Sequence, residues 1–154
     1  MYKYDYFISY RRAGGGAVAA QWVKSILCKY GKKVFLYVDD IKAVVEAADG
    51  VPVKSIIEIC YLTDDQIRKA AELCVKAGVT YVKTGTGWGP KPTTVDTIRI
   101  IKETIGDEAL IKAAGGVRDL DTLIQMAEIG CNRFGLGVRS AGNILEEARK
   151  RAGE

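Results

Sequence analysis

The apolar positions of the chain alternate between a period of two and a period near 3.6, the repeats of strand and helix. Tyr4–Tyr10 is a run of Tyr, Phe and Ile that predicts a strand, closed by the loop Gly14-Gly15-Gly16. From Ala17 onward Ala19, Trp22, Val23, Ile26 and Leu27 recur at helical spacing, with Gly31 as a fitting stop. Lys33–Val38 predicts a second strand, and Asp39 or Asp40 can cap a short helix carrying Ile41, Val44, Val45 and Ala48 on one side. Val53–Ile59 predicts the next strand. Thr63-Asp64-Asp65-Gln66 then reads as the capping box of a helix buried through Ile67, Ala70, Ala71, Cys74 and Val75. Tyr81–Thr84, Leu110–Ala113 and Arg133–Leu136 predict three more strands. Their helices are capped by Thr93 or Thr94, by Asp119 and by Ser140. Six β-α units in strict alternation predict an α/β fold: a parallel sheet covered by helices.

Length narrows the architecture. At 154 residues the chain fits one domain and falls short of the roughly 250 of a complete eight-unit barrel. The apolar runs are strand-sized, so no membrane span is expected, and Met1-Tyr2-Lys3-Tyr4-Asp5 has no apolar signal region. A cytoplasmic chain is the expectation. No His is present, which removes the commonest metal ligand and general base, and the cysteines at 28, 60, 74 and 131 form no CxxC pair. No metal and no cofactor are therefore expected, and Cys28, Cys60 and Cys74, lying in apolar patterns, read as reduced core thiols.

Charge is distributed unevenly. Residues 1–40 hold seven basic and three acidic side chains, hence all of the net +4, while residues 41–154 hold sixteen of each. The same first forty residues carry nine of the thirteen aromatics. Arg11, Arg12, Lys24, Lys29, Lys32 and Lys33 read as a solvated basic face rather than a nucleic-acid footprint. The break near residue 40 falls inside the β-α alternation, so a single domain with an internal seam is expected.

In parallel α/β folds the chemistry sits at the carboxyl ends of the strands. Two of these ends carry a lysine: Lys83 in Tyr81–Gly87 and Lys112 in Leu110–Gly116. On neighbouring strands they would lie close together. Ammonium groups so placed repel, and an amine freed of its proton is a nucleophile toward carbonyl carbon. The bland alternative is that each lysine snorkels out of the sheet. Gly115-Gly116 and the Gly135-x-Gly137 pair each precede a helix N-terminus, where free N–H groups favour phosphate.

These stretches and their flanks resemble the C-terminal half of the deoxyribose-phosphate aldolase family. The carrying segments are IKAVVEAA (41–48), VKSIIEICYLTDDQI (53–67), AGVTYVKTGTGWGP (77–90), TTVDTIRIIKETIGD (93–107), IKAAGGVRDLDTLIQM (111–126) and NRFGLGVRSA (132–141). The resemblance implies that Lys83 stands where that family has its Schiff-base lysine and Lys112 where it has the assisting one. It also implies that Gly87, Gly115, Gly116 and Gly137 surround a sugar-phosphate site, leaving the role of Glu58 open. Gly137-Val138 departs from the serines many members carry there. Residues 4–40, through YDYFISYRRAGGG and KKVFLYVDD, resemble instead the β-α-β start of a TIR domain, a flavodoxin-like fold.

Two resemblances meeting near residue 40 lead to a definite set of expectations. The fold is expected to be an open, flavodoxin-like parallel sheet of six strands ordered 2-1-3-4-5-6, with helices on both faces. A six-unit partial β/α barrel, with exposed edges that favour dimerisation, is the alternative. The function expected is that of an engineered chimera without evolved activity. Residual class I aldolase chemistry on small aldehydes or sugar phosphates, or a TIR-like interaction module, are its alternatives. Phosphate or sulfate is the candidate ligand. No obligatory partner, nucleic acid or membrane is expected, and the chain should be a monomer or weak homodimer.

Overall fold

The computed structural model of the chain describes residues 38–153. Helix α1 (Val38–Ala47) leads into strand β1 (Lys54–Ile56), a 3-10 turn (Ile59–Tyr61) and α2 (Asp64–Lys76). Strand β2 (Tyr81–Lys83), α3 (Val95–Ile105), β3 (Leu110–Ala114), α4 (Leu120–Ile129), β4 (Cys131–Gly135) and α5 (Val138–Ala152) complete the order.

All strand pairs are parallel and the order is sequential, β1-β2-β3-β4. Right-handed crossovers that step in one direction along a sheet leave their helices on one face. Consecutive helices accordingly pack on one another, α1 on α2 and so on through α5. The four described strands keep the sequential order that both the expected 2-1-3-4-5-6 sheet and the partial β/α barrel give their last four units; the first two units, in which the two differ, lie outside the described residues. The expected strand Tyr4–Tyr10 lies outside the described residues. So does Lys33–Val38, apart from Val38, which opens α1.

Local chemistry explains most boundaries. At α2 the capping box forms as read: Thr63 Oγ1 accepts from Gln66 N and Gln66 Oε1 accepts from Thr63 N. Thr94 and Asp119 cap α3 and α4 through the amides of Thr97 and Thr122. Two starts differ from expectation. Asp39 and Asp40 lie inside α1 rather than ahead of it, and α5 begins at Val138 behind Gly137, so Ser140 is already helical.

The core fills the space between sheet and helices. Val82 of β2 and Ile111 and Ala113 of β3 meet Ile67, Ala71 and Cys74 of α2, Ile98, Ile101 and Ile105 of α3, and Met126 of α4. The helical period places these side chains inward, and burying each isoleucine stabilises the fold by about 1.5–3 kcal/mol. The outermost described helices are less well covered. Val44 of α1 and Leu145 of α5 are mostly exposed.

Strand β4 carries a bulge. Ile111 pairs with Cys131 but Lys112 pairs with Arg133, leaving Asn132 as the extra residue. The side chain of Asn132 fills the gap, its Oδ1 accepting Ile111 N–H at 2.9 Å. Without the bulge Arg133 would pair with Ala113 and face the helices; with it, Arg133 joins Lys112 on the opposite face. No helix of the described residues is long and apolar enough to cross a membrane.

Candidate active site

Strand alternation sends Val82 and Ile111 toward the helices and their neighbours Lys83 and Lys112 to the other face of the sheet. The register pairs Lys83 with Lys112 directly. Arg133 pairs with Lys112 on the far side. Behind them Tyr81 offers its ring to two cations, with Lys54 Nζ 5.3 Å and the Arg133 guanidinium carbon 5.1 Å from its centroid. Lys83 and Lys112 are half-buried while Arg133 is exposed, so a lysine pair sits within a row of cations across three strands.

The strand ends behind this row are locked by buried hydroxyls. Thr84 Oγ1, fully buried, accepts Ala114 N–H at 3.0 Å. Thr93 Oγ1 donates to Ala114 O at 2.9 Å, and the two hydroxyls lie 2.9 Å apart. The main chain adds Thr84 N to Lys112 O at 3.1 Å and Thr93 N to Gly115 O at 2.8 Å. Thr84, the residue after Lys83, is thus tied to β3, and Thr93 to the end of β3 and its loop.

Beside these ends opens a cavity of about 330 Å³. Its lining includes Glu58, Gly87, Lys91, Gly115, Gly116 and Arg118. Gly87 and Gly115 both have positive φ, at 87° and 89°, and a Cβ on Gly115 would come within 2.8 Å of Gly87 Cα. The loops after β2 and β3 therefore touch backbone to backbone, and a side chain at Gly115 would part them. Three of the four expected phosphate glycines, Gly87, Gly115 and Gly116, line this one cavity. Gly137 is not among its lining residues and stands instead at the N-terminus of α5. Lys83 and Lys112 are not lining residues either; they precede Gly85 and Ala114, which are.

The structure adds groups that sequence reading passed over. Arg133 was hidden by the bulge, and Thr84 by its ordinary place in a strand pattern. Tyr81 could have been found by extending the two-residue alternation back from Lys83, whereas Lys54 meets it only through the register of β1 on β2. Among the described residues no cluster of Cys, Asp and Glu is placed to hold a metal ion. Cys60, Cys74 and Cys131 are buried, and burial pushes the thiols of Cys74 and Cys131 above the usual thiol range. Cys28 lies outside the described residues.

A model of the DeoC/LacD family of aldolases matches residues 16–145. The deoxyribose-phosphate aldolase of Rhizobium meliloti (strain 1021) is 42% identical over 108 residues, covering 70% of this chain and 44% of that protein. The deoxyribose-phosphate aldolase of Exiguobacterium sp. is 51% identical over 96 residues, covering 62% and 43%. Among solved structures, an aldolase designated QR15 superposes with a TM-score of 0.68 at 38% identity over 75% of this chain and 51% of that one. A protein described as a putative deoxyribose-phosphate aldolase from Coccidioides immitis gives 0.66 at 30% identity over 73% and 45%. The chain spans about half the length of the curated relatives it matches.

These findings overturn the expectation of an engineered chimera without activity. The family match enters at residue 16 and runs through residue 40 without a break, so the seam in charge is not a joint between two families. The TIR-like reading of residues 4–40 lies outside the described residues, and the family match overlaps it from residue 16.

Proposed function

The chain belongs to the DeoC/LacD family of aldolases, and from that premise we propose that it performs class I aldolase chemistry on a small aldehyde or sugar phosphate, with Lys83 as the Schiff-base amine. The observation that carries the reading is the register of Lys83 against Lys112 at the carboxyl ends of two central strands. In the proposed reaction Lys83 Nζ adds to the substrate carbonyl carbon, and loss of water leaves an iminium. The bond to the carbinol carbon breaks, its electron pair is drawn into the iminium to give an enamine, the hydroxyl proton leaves to a base and an aldehyde departs. Protonation of the enamine carbon and hydrolysis return the amine and release the second carbonyl product. Lys112, directly across the register, is the amine proposed to carry that proton. The backbone of Gly87, Gly115 and Gly116, with Lys91 and Arg118 on the same cavity, supplies donors for a phosphate group, and Gly137 opens a helix end that attracts the same charge.

Borohydride trapping tests this. The chain incubated with a small aldehyde and reductant should gain one adduct that peptide mapping assigns to Lys83. Lys83→Arg should abolish the adduct, and Lys112→Met should slow its formation by about a hundredfold, the low end for loss of a placed acid–base group. Adducts spread evenly over surface lysines would overturn the assignment.

A further inference from the structure

Glu58 occupies a backbone conformation that L residues seldom hold. Its φ is 54° and its ψ 61°, left-handed, at the end of β1, and its residue is only 8% exposed. Such a conformation persists only where the surroundings over-determine it, and it marks a position to question for a role. The surroundings here are specific. Ile57 N donates to Lys83 O at 3.0 Å and Ile59 N to Thr84 O at 2.9 Å, so the chain on either side of Glu58 is bonded to the lysine and its successor. Glu58 itself reaches past them, its Oε1 accepting Thr86 N–H at 3.1 Å. Cys60 Sγ lies 3.7 Å from the same oxygen. Gly85 passes directly over the carboxylate: a Cβ there would sit 2.8 Å from Oε1.

Lys83 O, Thr84 O and Thr86 N are therefore held by Ile57, Ile59 and Glu58, and Glu58 supplies a side-chain bond from the end of β1 to the glycine loop. Burying a carboxylate costs more than burying an apolar side chain of similar volume unless the charge is used. The use visible here is orientation, because a hydrogen bond to a charged acceptor is stronger and more directional than one to a neutral group.

We propose that Glu58 is a positioning residue: its carboxylate staples the loop Gly85–Gly89 to the end of β1, fixing the reach of that loop toward a ligand in the cavity and the seat of Lys83 beside it. The staple stands on the geometry of the free chain. Only its effect on aldehyde capture rests on the aldolase reading above.

The experiment compares Glu58→Gln, whose amide oxygen can still accept Thr86 N–H, with Glu58→Ala, which leaves that amide without an acceptor. Hydrogen exchange of the full chain, read by mass spectrometry on a peptide spanning 84–90, should quicken about tenfold in Glu58→Ala and stay near the parent rate in Glu58→Gln, the size expected for loss of one such bond. Gly85→Ala, which displaces the carboxylate but keeps it, should quicken exchange as Glu58→Ala does and covers the case in which Glu58→Ala fails to fold. In borohydride trapping at Lys83, Glu58→Ala should need about tenfold more of an aldehyde phosphate for half-maximal capture while its saturated rate changes less, and Glu58→Gln should restore the parent value. Unchanged exchange in both Glu58→Ala and Gly85→Ala overturns the staple. A Glu58→Gln variant that keeps loop protection but traps as poorly as Glu58→Ala overturns the positioning role at Lys83, because the carboxylate is then needed for proton transfer. If the parent itself traps nothing at Lys83 the aldolase reading fails, and the exchange measurements still decide the staple.

Discussion

Thr84 joins the ends of the two lysine strands through its hydroxyl, beyond their main-chain ladder. Its Oγ1 takes Ala114 N–H and shares a hydrogen bond with Thr93, all out of contact with water. Thr84→Val keeps the shape and removes the acceptor, leaving a buried amide unpaired. We expect it to destabilise the chain by about 1–3 kcal/mol, measured as a shift in the urea midpoint at constant slope. A loss below a few tenths would mean that the amide finds another acceptor. The lysines that this hydroxyl positions were legible because a strand's period of two places Lys83 and Lys112 at equivalent points of two similar segments. Arg133 was not, since a bulge of one residue reverses the face on which a side chain emerges and leaves no mark in apolar spacing. Glu58 entered only through the family resemblance, with its role open. Its left-handed backbone depends on Thr86 and Gly85, nearly thirty residues away, so no local pattern encodes it.

Element boundaries followed the sequence wherever a side chain makes the cap, as at Thr63, Thr94 and Asp119. They departed from it at α5, where Gly137 begins the helix with no side-chain bond and the better-looking Ser140 is passed over. The far end of α5 is tied to α4 by Arg151, which bonds Asp121 at 2.6 Å and also pairs with Glu147. The hydrogen bond from Arg151, then its charge, hold the Asp121 carboxyl below the usual carboxylate range. A lowered folded value means that the stabilisation is fully present above the unfolded pKa of about 3.9 and is lost as pH falls through the folded one. The parent should therefore exceed Arg151→Gln in thermal midpoint at pH 6 at low salt, and the gap should close as pH is lowered from about 4 toward 2. A gap that persists in strong acid would assign the effect to packing of the arginine stem instead.

For the molecule as a whole, strict alternation made an α/β parallel sheet readable, and the four described strands run in the order expected of the last four; alternation alone does not choose between a reversing and a sequential sheet. A sheet that reverses direction after its second strand and one that never reverses share the same local periods, and the difference lies in which edge each crossover returns to. The uneven charge also misled at this level, because charge is a surface property and a change in it need not mark a boundary in the fold. The sequential order has a consequence for how the chain comes apart. Each β-α unit bonds only to the units before and after it, so the described region behaves as a short one-dimensional array whose ends can open while its middle stays closed. The middle is β2 and β3, and with them the lysine pair. Native-state exchange should then be slowest at Val82, Ile111 and Ala113 and faster in β4 and α5. Uniform protection across the four strands would instead indicate all-or-none opening. An array of this kind lets its outer units breathe or vary while the amine and its neighbour keep their distance.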